Sequence, residues 1–244
     1  MTPKVVKARN RNRLLVDLHA GGWMGGGESS ALGAIILAGL NGIRAIAVDF
    51  RVLPDHPFPA AMDDSTAVWK DVVKHTKPGN IAVTGSSAGG AMVFSLVQRA
   101  KREGLPLPAA VVSDSPFADL SKTGDSYHTN EWVDNRIHGY EGFLQALARL
   151  YANGRDLKDP LISPVYGDFA GFPPTFLVSG TRDLFLSNAV RVQGKLLEAG
   201  VPTQLVVAEA FTHGIIQEAV MRDVPEGFAI YSYIARFLDT HLGR

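Results

Sequence analysis

The chain has 244 residues, 46% of them hydrophobic and 20% charged, with 24 basic residues against 24 acidic ones. That balance fits a globular protein with a sizeable core and leaves no electrostatic footprint for nucleic acid or an anionic membrane. Cysteine is absent, which excludes disulfides and thiolate metal sites, and the longest apolar run, Ala31 to Leu40, falls well short of the roughly 20 residues that span a bilayer.

The basic stretch ahead of His19 has its apolar part broken by Asp17 and carries no small-residue cleavage site. No signal peptide is expected, and a cytoplasmic location is the default. Six short runs then read as strands, at 14–19, 45–50, 80–85, 109–115, 175–180 and 204–210. Their near-continuous hydrophobicity, without alternation, is what strands covered on both faces show. Helical patterns lie between them. One carries Ala91, Met92, Leu96, Val97 and Ala100 on one face; another opens at Ser187 as an N-cap, carries Val192, Leu196 and Leu197, and stops at Gly200. A last helix from Pro225 to Leu242 repeats Ile230, Ile234, Phe237 and Leu238. This alternation predicts an α/β fold, a mostly parallel sheet with helices on both faces.

With no internal repeat, low-complexity tract or linker, residues 1–244 read as one domain. The rhythm breaks at residues 116–172, which are polar at first and then helical from Glu141 to Ala152. Insertions at the carboxyl ends of strands in an open α/β sheet lie over the ligand crevice, so this one is expected as a pocket wall or lid.

Three loops carry candidate chemistry. Gly85-Ser86-Ser87-Ala88-Gly89 fits G-x-S-x-G between a buried strand and an amphipathic helix, the context of a nucleophile elbow, and Ser87 is its central serine. A nucleophilic serine needs a base, and His213 lies three positions beyond the last strand, before Gly214. The base needs an orienting carboxylate, for which Asp183 stands three positions beyond the fifth strand; Asp114 and Glu209 are alternatives. The third loop, HAGGWMGGG from His19, follows the first strand. Gly21 and Gly22 there, with Ala88, can present backbone N–H groups to an oxyanion.

Together these pieces resemble the hormone-sensitive-lipase-like bacterial carboxylesterases of the α/β-hydrolase superfamily. HAGGW is similar to that family's His-Gly-Gly-Gly-aromatic box, and DFRVLPDHPFPAAMDD to its Tyr-Arg-Leu-Ala-Pro-Glu-His-Pro-Phe-Pro-Ala-Ala segment. GSSAGG matches Gly-Asp-Ser-Ala-Gly-Gly, and GTRDLFLS and THG follow in family order. SPFADLSKTGDSYHTN further resembles the branch containing monoterpene lactone hydrolases. The resemblance implies a serine carboxylesterase acting on small or short-chain esters, with Ser87, Asp183 and His213 as the triad and Gly21, Gly22 and Ala88 as the oxyanion hole. It implies no cofactor and no metal. Trp23, Met24, Phe185, Ile215 and Trp132 fit either core or pocket, and the place of Trp23 beside the glycine loop makes it the one expected at the substrate.

Three departures stand out. Ala20 replaces the first glycine of the box and Ser86 the usual acid before the nucleophile. Only 18 residues precede His19, where the family carries a longer segment that supplies two cap helices and the first strands. The expectation is thus a fold lacking the cap and the first one or two strands, with PKVVKA at 3–8 as a remnant. Such a site would be open to water. It would also leave an edge at 45–50 through which the protein would self-associate or lose stability.

Other residues have plainer readings. His19 is expected to brace the glycine loop, and Arg51 with Asp63 or Asp64 to form an ion-paired loop. Asp125 and His128 lack the further ligands of a metal site. A lactone or amide hydrolase using the same triad remains open, as does an inactive ligand-binding protein on this fold, like the plant gibberellin receptors, which lack the histidine.

Overall fold

Along Asn10–Leu18, Leu14, Val16 and Leu18 are buried in one apolar cluster and Leu15 in another, so this strand, β1, is covered on both faces. The structure is a computed structural model that describes residues 10–243; the segment PKVVKA lies outside them. Five further strands follow: β2 (Ile43–Val48), β3 (Ile81–Ser86), β4 (Ala110–Asp114), β5 (Thr175–Gly180) and β6 (Thr203–Ala208). All pair in parallel, in the order β2-β1-β3-β4-β5-β6. Each of the six expected runs is one of these strands. Their fully parallel pairing accounts for their continuous hydrophobicity, because crossover helices must cover both faces.

The helices are α1 (Leu32–Asn41), α2 (Ala60–His75), α3 (Ala88–Arg102), α4 (Ser126–Thr129), α5 (Phe143–Ala152), α6 (Leu186–Glu198), α7 (Ile216–Met221) and α8 (Pro225–His241). Trp69 of α2, Phe94 of α3 and Val192 of α6 pack with Leu14, Val16 and Leu18 on one face. Leu37 of α1, Ile216 of α7 and Phe237 of α8 pack with Leu15 on the other. Among the described residues, no helix is long and apolar enough to cross a membrane.

The run expected at an edge, β2, does lie at one end of the described sheet, pairing with β1 alone. Arg51 and Asp64 form a bidentate pair, and Asp63 binds Arg99 of α3, so the proline-rich loop is fastened as expected. Ser187 is not the N-cap of α6. The helix starts after Phe185, and the Ser187 hydroxyl donates to Asp125 at 2.7 Å while accepting the Ser126 N–H. A tertiary donor, the Ser126 N–H, occupies the oxygen with which a cap would accept.

Because every strand runs the same way, the loops after β1, β3, β5 and β6 emerge at one edge of the sheet. That is where an open α/β sheet binds its ligand.

One buried charge interrupts the core beneath that edge. Asp17 shares the Leu15 face of β1, accepts the Thr84 hydroxyl at 2.6 Å, and is pushed up to about 6 by burial. A carboxyl raised above its unfolded value binds more protons in the folded chain, so its cost to stability grows as pH rises from about 4 through the folded value. Asp17→Asn keeps an acceptor for Thr84 and removes the charge. In urea melts the variant is expected to match the wild type near pH 4 and exceed it by roughly 2 kcal/mol at pH 7.5; equal loss at both pH values would contradict this.

Candidate active site

Ser87 joins β3 to α3 with φ 56° and ψ −117°. A residue with a side chain is strained in that region, and the surroundings must hold it there. They do so by close approach. A Cβ on Gly89 would lie 1.9 Å from the Leu18 carbonyl oxygen, and one on Gly85 2.4 Å from that of Gly89. The Ser87 N–H donates to the Asp114 carbonyl at 2.9 Å, and the Ser87 carbonyl accepts the Phe117 N–H at 3.1 Å.

The loop after β6 brings His213 to this serine, with Nε2 2.8 Å from Ser87 Oγ and Nδ1 3.2 Å from Asp183 Oδ1. With Nδ1 donating to the carboxylate, Nε2 is left to accept from the serine hydroxyl. Asp183 is fully buried, accepting Ser179 Oγ at 2.7 Å and the Phe185 N–H at 2.9 Å. Burial raises its carboxyl, but the bond to His213, the histidine's charge and these two donors outweigh it, so Asp183 titrates below the ordinary carboxylate value. For His213, burial disfavours the charged ring, yet Asp183 and the more distant Asp134 and Asp114 hold it above the ordinary imidazole value. The three predicted residues therefore meet. Asp114, one of the alternative acids, bonds to Ser86 instead of the histidine.

A cavity of about 300 Å³ opens at Ser87 and His213 and reaches Gly21 and Gly22. Gly21 and Gly22 have φ of 108° and 61°, and a Cβ on Gly22 would lie 2.8 Å from a Leu147 methyl. Glycine thus lets α5 close against this loop. Ala88 opens α3, where an N–H has no partner within the helix. The far wall is apolar, with Phe117, Ile137, Leu144, Leu147 and Phe185. Four of these five come from residues 116–172, the segment whose place over the crevice was expected from its position.

Trp23 is a correction. It is 1% exposed, stacks on Tyr151 at 3.9 Å, donates Nε1–H to Met92 Sδ, and does not line this cavity. A left-handed backbone at φ 58° turns it down into the core beneath the glycine loop. His19 braces that loop: its ring stacks on Phe50 at 3.9 Å, and Nδ1 lies 2.6 Å from the Ala20 carbonyl.

The sequence did not reveal Asp134. It is buried, accepting the Leu184 N–H at 2.9 Å and the His213 N–H at 3.1 Å, so it ties the loop that carries Asp183 to the loop that carries His213. Among the described residues, no group of three His, Cys, Asp or Glu side chains is placed to hold a metal ion.

The family described as alpha/beta hydrolase fold matches residues 15–217. An acetyl-hydrolase of Streptomyces hygroscopicus is 32% identical over 197 residues, covering 80% of this chain and 65% of that protein. The crystal structure of the esterase E25 is 44% identical with a TM-score of 0.92, covering 95% of this chain and 71% of its own. A crystal structure of an esterase from the bacterial hormone-sensitive lipase family is 30% identical with a TM-score of 0.90, covering 97% and 79%. The chain spans 65% of the length of the first curated relatives it matches.

The balance at His213 can be measured directly. An NMR titration of its ring is expected to give a midpoint above the free-imidazole value of about 6.5. In Asp183→Asn the main opposing charge is gone and burial prevails, so the midpoint should fall below that value. An unchanged midpoint in the variant would show that Asp183 does not set it.

Proposed function

The chain belongs to the bacterial hormone-sensitive lipase family of the alpha/beta hydrolase fold, and from that membership we propose that it hydrolyses small carboxylic esters through an acyl-enzyme. The observation that carries this reading is the 2.8 Å approach of His213 Nε2 to the Ser87 hydroxyl, with Asp183 behind the ring. Ser87 Oγ attacks the ester carbonyl carbon as Nε2 takes its proton. The carbonyl oxygen becomes an anion, received by the N–H groups of Gly21, Gly22 and Ala88. The imidazolium then gives its proton to the departing alcohol. Water repeats the attack on the acyl-enzyme with His213 again as base, releasing the acid and restoring Ser87. Asp183 holds Nδ1–H and stabilises the imidazolium in both halves.

The apolar wall of the cavity suits the acyl chain, and its volume of about 300 Å³ favours short chains. The acetyl-hydrolase and the esterase E25 to which the chain is similar agree with this reading. An inactive binding protein on this fold would have no use for a base poised on the serine, which counts against that alternative.

Turnover of nitrophenyl acetate, butyrate and octanoate tests the proposal. Acetate and butyrate are expected to be preferred over octanoate, and Ser87→Ala to lower kcat by up to about 10⁶. Wild-type turnover no higher than that of the variant would refute it.

A further inference from the structure

Asp114 is a buried carboxylate that the reaction above leaves without a task. It ends β4 directly opposite Ser86 of β3, and it is 9% exposed. Its Oδ2 accepts the Ser86 hydroxyl at 2.8 Å, and its Oδ1 accepts the Ser115 hydroxyl at 3.2 Å. Ser115 Oγ in turn accepts the N–H of Gly214, the residue after His213, at 3.0 Å. The Asp114 carbonyl holds the Ser87 N–H. One residue therefore grips the turn that carries the serine and, through one hydroxyl, the turn that carries the histidine.

The three backbone positions it joins are all in the left-handed region: Ser87 at φ 56°, Ser115 at 45° and Gly214 at 59°. Two of them carry side chains and are held there only by their surroundings. Separately strained turns would relax independently, and a relaxation of a few tenths of an ångström in either would open the 2.8 Å contact between Ser87 and His213. A shared buried acceptor couples them.

We propose that Asp114 is a positioning residue that locks the nucleophile turn to the histidine turn through Ser86 and Ser115, setting the Ser87–His213 approach without a hydrogen bond to either side chain. The proposal rests on the reading of Ser87 and His213 as nucleophile and base. A buried carboxylate in this place has a second effect, because its charge favours the protonated ring of His213. Burial raises Asp114 itself to about 6, with the Ser86 bond opposing, so it carries that charge at the alkaline pH of an esterase assay. The other titratable groups acting on Asp114 are Asp183, across the histidine, and Tyr231 of α8, whose phenol burial keeps neutral.

Steady-state kinetics on nitrophenyl butyrate across pH test this. Asp114→Asn keeps the shape and removes the charge and one acceptor. It is expected to lower kcat about tenfold with KM within about twofold, and to move the acid limb of kcat to lower pH. Ser115→Ala cuts the link to Gly214 alone and should lose kcat to a similar extent with the acid limb nearly in place. The double variant should lose no more than the worse single one, because both break the same connection. Ser115→Ala is a small deletion that keeps the carboxylate, so it decides the matter if Asp114→Asn does not fold. Wild-type kcat in Ser115→Ala, or losses that multiply in the double variant, would overturn the proposal. These failures are distinct from failure of the esterase reading, in which Ser87→Ala itself would retain activity.

Discussion

The approach of the start of α3 to the end of β1 governs the geometry around Ser87. The Leu18 carbonyl stands where a Cβ on Gly89 would be, and the Gly89 carbonyl where one on Gly85 would be. Two parallel strands and a helix end are thus in backbone contact, and the chain between them has no room for a relaxed turn. Ser87 is pushed into a conformation that a serine does not adopt freely, and the result is a half-buried hydroxyl at the rim of the sheet that lines the cavity. Neighbouring features serve that placement: the Asp114 carbonyl on the Ser87 N–H, the Phe117 N–H on its carbonyl, and the fully buried β3 behind it.

Around this turn the protein gathers negative charge. Asp183, Asp134 and Asp114 are all buried near His213, and each acts differently. Asp183 touches the ring, Asp134 holds the backbone N–H, and Asp114 reaches the next residue through Ser115. Three buried carboxylates would be costly in an apolar interior, and each accepts at least two hydrogen bonds there. In the proposed reaction the histidine becomes positive twice per turnover, and this arrangement is organised in advance for that charge.

Much of this was legible in the sequence, for physical reasons. The six strands are covered on both faces, so their apolar runs are unbroken and stand out. Ser87, Asp183 and His213 each follow a strand by a residue or a few, and a parallel sheet brings all such positions to one edge. What was not legible depends on contacts distant in sequence. Asp134 lies in a stretch of turns and one four-residue helix with no period to read, and its partners, Leu184 and His213, are 50 and 79 residues away. Trp23 sits beside Gly21 and Gly22 in sequence, but its left-handed backbone turns the ring into the core. Ser187 has the chemistry of a cap, and only the fold shows that the Ser126 N–H claims its oxygen. Asp114 read as a possible acid for the histidine, whereas strand register sets it opposite Ser86.

Strain and hydrogen bonding single out one serine of the pair in GSSAGG. Mass spectrometry of the protein treated with a fluorophosphonate probe tests this most directly. One adduct is expected, at Ser87, and it should be lost in His213→Ala. An adduct on Ser86, or labelling of Ser87 that persists without His213, would contradict it.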